Sequence, residues 1–547
     1  MAGGPIARTT ELKHYEGRVT WYVVLSTIVA GMGGLLFGYD VGITGGVTSM
    51  DNFLQQFFPH VAAQAEHGAE EGADAYCTYS DVGLQMFTSS LFLAAAFAGL
   101  VGSYTTRKWG RIKTMLIGGI CFMIGAVLTS SAYKLAQLVI GRVILGFGVG
   151  LATQSVPVYL SEMAPTHIRG MLNIMFQLSI TIGILIAECI NLGTQNMAED
   201  KGWRTSLALA GIPAVVLTLG GILLPETPNS LMERGHYDKA RQILIKVRGT
   251  ENVDNEYEDI RIAAELANSV KSWSDPWKKL FSKDYRPELV LAFFIPFLQQ
   301  WTGINSIMFY APIIFKTISK NGALLATVIT GAVNVGTTFV SVGLVDKVGR
   351  KPLFYEGGAQ MIAAEIAMGL LMHQYFGGHT GDTVPHHIGI AIIAVVCIFV
   401  AGFAWSWGPL AWLVPSEVLS LETRSAGYAL TTFMNFLMTF VVGQSFLSML
   451  CAMRWGIFLF FAGWVFLMSL FIILFTPETK GIPLEEMHLV WRSHWAWKHW
   501  QADKDRRHAR VANQPGTVEF EDYKVNEENN HTHAAITNGN HELPKPV

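Results

Sequence analysis

Apolar residues along this chain gather in long runs, not in the alternation of a half-buried strand or the one-sided stripe of a soluble helix. Twelve runs of about 20 residues can be marked. They are 21–43, 82–104, 114–132, 136–159, 170–193 and 203–224 in the first half, then 289–315, 323–344, 353–376, 388–414, 426–449 and 455–476. Each is long enough to cross the roughly 30 Å hydrocarbon core as a helix. The pattern predicts an all-α membrane protein of twelve transmembrane helices.

The polar stretches between the runs set the orientation. The first connection, 44–81, has no Lys or Arg, whereas the next carries Arg107, Lys108, Arg111 and Lys113. Loops rich in Lys and Arg stay in the cytoplasm, so the basic loop lies inside and 44–81 outside. Twelve crossings then put both termini inside, and segment 225–288, with eleven Lys and Arg, agrees. Residues 1–20 are polar, with Arg8, Lys13 and Arg18, and lack an apolar core; no cleaved signal peptide is expected.

The expected organisation is a cytoplasmic N-terminus (1–20), a six-helix bundle (21–224), a cytoplasmic linker (225–288), a second six-helix bundle (289–476) and a cytoplasmic tail (477–547). The linker has helical patterns at 237–247 and 253–270. In the tail, His494 to Trp500 alternates Trp with basic residues, which suits a membrane interface. The polar remainder after 501 is expected to be disordered.

Three elements occur twice in the same order. Arg107 to Arg111 (RKWGR) answers Asp346 to Arg350 (DKVGR), Glu162 with Arg169 answers Glu417 with Arg424, and PET at Pro225 answers PET at Pro477. The offsets are 239, 255 and 252 residues, and the longer outer loop before the tenth run accounts for the jump. The halves are therefore two bundles in parallel repeat. Arg111, Glu162, Arg169, Asp346, Arg350, Glu417 and Arg424 all fall at cytoplasmic helix ends, where they can pair with one another and with helix termini as releasable latches.

Composition matches a membrane protein: 51% hydrophobic and 15% charged, against about 25% charged in soluble proteins. A net charge of −3 points away from nucleic acid. Against that background, polar groups inside the runs stand out. Asp40 lies near the end of the first run, and a bare Asp at a membrane centre costs roughly 2.5–3.5 kcal/mol on insertion scales. Arg142 is the strongly basic residue of the fourth run and the proposed partner. The alternative is an interfacial Asp40 with Arg142 snorkelling to a headgroup.

Gln177, Gln299, Gln300, Asn305, Asn334, Asn435 and Thr439 form a second set, in runs 5, 7, 8 and 11. Amides and hydroxyls both donate and accept, as a neutral polyhydroxylated ligand requires, while an anion or cation would call for opposite charge. Trp412 offers an apolar face for a pyranose ring. Each amide taken singly could instead join two helices. No metal-ligand cluster or catalytic triad accounts for the set, and no cofactor or metal is expected.

Five cysteines are too few for a disulfide scaffold. Cys121, Cys189 and Cys397 fall in apolar runs and read as packing residues. Cys77 and Cys451 both face the oxidising side on this topology; they could pair, and spacing alone leaves that open.

GLLFGYD (34–40), GRVILGFGVG (141–150), PVYLSEMAPTHIRG (157–170), PETPNSL (225–231), QQWTGIN (299–305), DKVGRK (346–351) and PETKG (477–481) together resemble the sugar porter family of the major facilitator superfamily, over about residues 20–490. The basic-free outer loop with its cysteine, FAWSWGP (403–409) and SMLCAM (448–453) look most like plant and green-algal monosaccharide/proton symporters. The resemblance implies the fold of that superfamily, with cytoplasmic helices between the bundles. It implies a hexose/proton symporter of the plasma membrane, working as a monomer, with sugar, protons and the lipid bilayer as partners. Asp40 would be the proton acceptor and Arg142 its partner. Gln177, Gln299, Gln300, Asn305, Asn334, Trp412 and Asn435 would contact the sugar, with Phe37 and Thr439 nearby. Loop 44–81 would be an extracellular lid, closing through Met50, Phe53, Leu54, Phe57 and Phe58, tethered by a Cys77–Cys451 disulfide. Two features depart from the pattern: Arg107 stands where the family usually has Asp, and the intramembrane carboxyls Glu188 and Glu365 match no family role.

Other classes fit less well. A facilitative uniporter would keep the amides but need no titratable carboxylate. A sugar sensor would carry a long signalling extension, whereas the tail from Met487 is about 60 residues. An enzyme would need a nucleotide-binding loop or nucleophile motif, and the polar segments show neither.

Overall fold

The computed structural model describes residues 17–71, 76–165, 168–197, 200–268, 275–318, 323–375, 385–420, 422–480 and 487–501. In the first half the long helices are α1 (Trp21–Val47), α4 (Val82–Lys108), α5 (Arg111–Ser130), α6 (Leu135–Met163) and α7 (Arg169–Thr194), followed by the pair α8 (Lys201–Leu209) and α9 (Gly211–Leu223). Between α1 and α4 lie the short helices α2 (Asp51–Phe57) and α3 (Pro59–Glu71). The linker forms α10 (Pro228–Glu233), α11 (Tyr237–Arg248), α12 (Asp254–Asn268) and α13 (Asp275–Leu280). The second half comprises α14 (Arg286–Gln300), α15 (Ile304–Ile318), α16 (Ala323–Val348), α17 (Arg350–Tyr375), α18 (His386–Trp405), α19 (Trp407–Val418), α20 (Arg424–Met453) and α21 (Gly456–Phe475).

Ten stretches among the described residues are long and apolar enough to cross a membrane. The other two expected crossings differ from simple apolar helices. The seventh is broken at Trp301–Gly303 into α14 and α15, where Gly303 takes φ +78°. The ninth, α17, carries Glu356, Gln360 and Glu365. The tenth is broken too: Pro409 has no N–H to continue α18, and the chain turns at Ser406. Hydropathy does not register such breaks, because the residues on both sides stay apolar.

The halves meet through α4 against α20, α7 against α16 and α1 against α15. A shift of six crossings turns the first of these contacts into the second, as a two-fold axis between parallel repeats requires. Hydrogen bonds cross the seam: Gln85 donates to Ser448 at 3.1 Å, Ser89 to Gln444 at 2.6 Å, Thr432 to Gln154 at 3.3 Å and Asn173 to Ser416 at 3.4 Å.

The linker helices share a small core of Leu231, Met232, Ala240 and Ala264. Arg248 ties them to the first half, pairing with Glu256 at 2.6 Å and donating to the carbonyls of Met163 and Ala164 that end α6. The tail forms a separate short unit, in which the last residues of α22 (Met487–Ser493) place Trp491 6.4 Å from Trp497. The expected disorder after 501 falls outside the described residues. One expectation is corrected: Cys189 is exposed on its helix, not packed, and Cys121 and Cys397 are only half-buried. An apolar face turned to lipid carries the same sequence signal as one turned to the core.

Candidate functional site

Asp40 sits seven residues from the end of α1 at Val47, about 10 Å along the helix from that end. It is 2% exposed, Arg142 on α6 is 0% exposed, and Arg142 donates to the Asp40 carboxylate. The second guanidinium nitrogen donates to the Thr44 hydroxyl at 2.5 Å, and Thr44 in turn donates to the Asp40 carbonyl at 2.6 Å. Thr44 is one helical turn from Asp40, so the three groups close a ring. The snorkelling alternative fails, because Arg142 is directed inward.

A stack of aromatic rings covers the pair. The Arg142 guanidinium lies 4.2 Å from the ring centroid of Phe87 on α4. Phe87 lies 5.1 Å from Phe53 of α2, and Phe53 and Phe57 meet Trp203 at 5.7 and 5.4 Å. Phe53, Leu54, Phe58 and Met50 are buried, and Phe57 is half-buried. Helix α2 therefore reaches the charge pair through one ring, that of Phe87. Cys77 and Cys451 form a disulfide with Cα atoms 4.6 Å apart, fastening the loop to the end of α20. Phe87 and Trp203 were not legible as site residues: in an apolar run, one more aromatic gives no signal.

The amides form a row in the second half. Gln299 donates to the carbonyls of Trp407 and Gly408 at 3.0 and 3.3 Å. Its own carbonyl accepts from Asn435 at 2.6 Å and from Gln300 at 3.3 Å. Gln300 accepts from Asn305 at 2.5 Å, and Thr439 donates to the Asn435 backbone at 2.8 Å. The breaks at 301–303 and 406 make this possible, since they let side chains from α14, α15 and α20 converge on the first turn of α19. From the first half, Gln177 reaches the same place: a Cβ on Gly408 would stand 3.3 Å from its Nε2. Trp412, one turn on from Gly408, is buried edge-on to Phe176 at 6.1 Å. Asn334 is buried with Oδ1 unpaired, and its side chain joins none of these bonds. Phe37 links the two sites. It lies one turn from Asp40, and its ring meets Phe436, next to Asn435, at 5.2 Å.

At the opposite ends, the repeated charges form two networks. Arg111 pairs with Glu162 and with Glu233, both at 2.7 Å. Arg350 pairs with Glu417 at 2.5 Å and with Asp346 at 3.2 Å. The oddity of Arg107 is thereby explained: the carboxylate that Asp346 gives to Arg350 comes to Arg111 from Glu233 in the linker. Burial pushes the Glu233 carboxyl up, but Arg111, with Arg107 and Arg424 behind it, outweighs burial and holds it below its ordinary value. The field of Arg424 on Glu233 also joins the linker to the second half. The Arg169 side chain lies outside the described residues.

Residues 26–491 match the family model described as "Sugar (and other) transporter". The chain is 49% identical to H(+)/hexose cotransporter 2 of Parachlorella kessleri, over 95% of this chain and 97% of that protein. It is 52% identical to sugar transport protein 10 of Arabidopsis thaliana, over 89% and 94%. Among solved structures it resembles the proton:xylose symporter XylE bound to 6-bromo-6-deoxy-D-glucose, with a TM-score of 0.72 and 28% identity over 87% of this chain and 100% of that one. With its transmembrane body matched by the family model and half of its residues shared with these relatives, the chain belongs to the sugar transporter family.

Proposed function

We propose that this protein is a proton-coupled symporter that imports monosaccharides, hexoses such as glucose or galactose, across the plasma membrane by alternating access. The lid faces outside and both termini lie in the cytoplasm, in line with the basic loops. The observation that carries the reading is the sealed Asp40–Arg142 pair one turn from Phe37 and the amide row. A uniporter would have no use for that carboxylate.

The sugar site is the row of Gln177, Gln299, Gln300, Asn305, Asn334 and Asn435, with Trp412 and Phe37 as apolar walls and Thr439 behind Asn435. Hydroxyls of the ring exchange with the amide-to-amide bonds, so that little hydrogen bonding is lost on binding. Asp40 carries the proton. A proton on Asp40 removes the charge that holds Arg142, and α1 is released from α6. In the outward-open state the proton enters from outside; on inward opening the pair re-forms and the proton leaves to the cytoplasm. The networks of Arg111 with Glu162 and Glu233, and of Arg350 with Asp346 and Glu417, together with Arg169 and Arg424, latch the cytoplasmic ends while the outer side is open.

The driving force is sufficient. One charge moved across about 150 mV supplies about 3.5 kcal/mol, a sugar gradient of roughly three hundredfold. The protein acts as a monomer in the bilayer and catalyses no covalent step. The deciding experiment is uptake of radiolabelled hexose into proteoliposomes with and without an imposed pH gradient. Concentrative uptake only with the gradient is expected; equal uptake in both would leave a uniporter.

A further inference from the structure

Glu188 lies on α7 eleven residues beyond Gln177 toward the lid, close to three full turns, and therefore on the same face about 16 Å nearer the outside. It is 5% exposed, and its Oε2 has no hydrogen-bond partner. A Cβ on Gly331 of α16 would stand 2.0 Å from that oxygen, so the carboxyl rests directly on the backbone of the opposite half, and a residue larger than glycine would exclude it. Asn334, with its own unpaired oxygen, follows one turn deeper on α16.

Among the described residues, no charge answers this carboxyl from the helices that pack most closely against α7, which are α1, α6, α8, α16 and α19. On α1, Asp40 is taken by Arg142 of α6, and the Tyr39 hydroxyl donates to the Ser206 carbonyl, while Tyr22 is exposed at the other end. On α8, Arg204 binds Asp200 and the Ser130 carbonyl, and Lys201 is exposed. Tyr159 and Glu162 of α6, Asp346 and Lys347 of α16, and Glu417 of α19 all sit toward the basic side. On α7 itself the neighbour is the exposed Cys189.

Charge on a carboxyl so buried, with Oε2 unpaired against the Gly331 backbone, is costly, whereas a carboxylic acid is tolerated. Its proton is therefore tied to whether α7 and α16 are closed on each other. Resting on the symport reading, we propose that Glu188 is a second proton-binding group of the transport cycle. It takes a proton from the outside solution while the outer seam is open and keeps it while the carboxyl lies on Gly331. It returns the proton to the same side on reopening. Glu188 thus makes outer closure depend on external acidity without adding to the protons carried per sugar.

The test uses the full chain in proteoliposomes. In an Asp40→Asn background, downhill hexose entry should still fall several-fold as external pH rises, and adding Glu188→Gln, neutral and of the same shape, should flatten that dependence. Entry already independent of pH in Asp40→Asn, or unchanged by Glu188→Gln, overturns the proposal. Glu188→Gln alone should keep the wild-type ratio of protons to sugar; a lower ratio would overturn the return of its proton to the outside. Infrared difference spectra of wild type against Glu188→Gln at neutral pH supply a readout independent of transport. The C=O stretch of a protonated acid must disappear in the variant, and its absence from wild type overturns the proposal. Failure of wild type to accumulate sugar on a pH gradient would instead overturn the symport reading.

Discussion

Glu226 and Glu478, 252 residues apart, cap the same turn in the two halves of the chain. Glu226 accepts from the backbone N–H of Arg111 at 3.1 Å and of Ile112 at 3.4 Å; Glu478 accepts from those of Arg350 and Lys351, both at 3.0 Å. Each carboxylate satisfies donors that a helix start leaves unpaired and places negative charge at the positive end of the helix dipole. The arginine beside it then reaches Glu162 or Glu417, whose second oxygen accepts from Thr227 at 2.5 Å or Thr479 at 2.6 Å. Both PET motifs are thus the third corner of a latch, and their glutamate holds the helix while their threonine holds the latch carboxylate.

That geometry depends on the glycine before each arginine. Gly110 has φ +97° and a Cβ there would stand 2.1 Å from Glu226; Gly349 has φ +105° with 3.0 Å to Glu478. An alanine at either positive-φ position is strained by about 1–3 kcal/mol, and at Gly110 it also displaces the capping carboxylate. Thermal unfolding in detergent should rank wild type above Gly349→Ala and Gly349→Ala above Gly110→Ala. Midpoints equal to wild type in both variants would show that the turn does not need glycine.

The Cys77–Cys451 disulfide ties the loop between α1 and α4 to α20. Cys77→Ala removes the covalent tie of the loop to α20 and leaves the ring contacts of Phe53 and Phe57 among the noncovalent ones that hold α2, so the cover over Arg142 opens more often. Hexose affinity and accumulation should drop several-fold, and a reducing agent should do the same to wild type but not to the variant. A free Cys77 thiol found by mass spectrometry of unreduced protein would remove this role.

Much of the architecture is legible in the sequence for one reason: in a chain that is half apolar, a charge or amide inside an apolar run is conspicuous. Asp40, Arg142 and the residues of the amide row stand out in that way, and the repeat exposes Arg111 with Arg350. The contributions of Phe87, Trp203 and Glu233 do not stand out. The first two are aromatics among aromatics, and Glu233 lies in a linker dense with charge. Thr44 could have been found, since it is one turn from Asp40 on the same helix. The breaks in the seventh and tenth crossings leave hydropathy unchanged, and only Gly303 and Pro409 mark them.

The amide row separates two kinds of substitution. Gln299→Ala removes the acceptor of Asn435 and the donor to Trp407 and Gly408, so it should lower both stability and sugar affinity. Gln177 stands beside Gly408 from the other half, and Gln177→Ala should lower affinity alone, by about 1–3 kcal/mol for a sugar hydroxyl left without its partner. Binding titrations beside unfolding midpoints check this. Unchanged affinity in Gln177→Ala would take that residue out of the site.

Asp40→Asn tests the coupling itself. The amide keeps the shape of the carboxylate and can still accept from Arg142, so the fold and the sugar row should persist and hexose should still bind. It cannot take up a proton, however, and it cannot cycle between a charged state that holds Arg142 and a neutral state that releases it. Accumulation against a gradient should be lost, leaving only downhill entry at a reduced rate. The direct measurement is the proton movement that accompanies sugar entry into vesicles at one fixed pH. Wild type should acidify the lumen as hexose enters, and Asp40→Asn should not. If the variant still does, the transported proton travels on another carboxyl, and Glu365, buried with Oε2 unpaired, becomes the group to substitute next, together with Glu188.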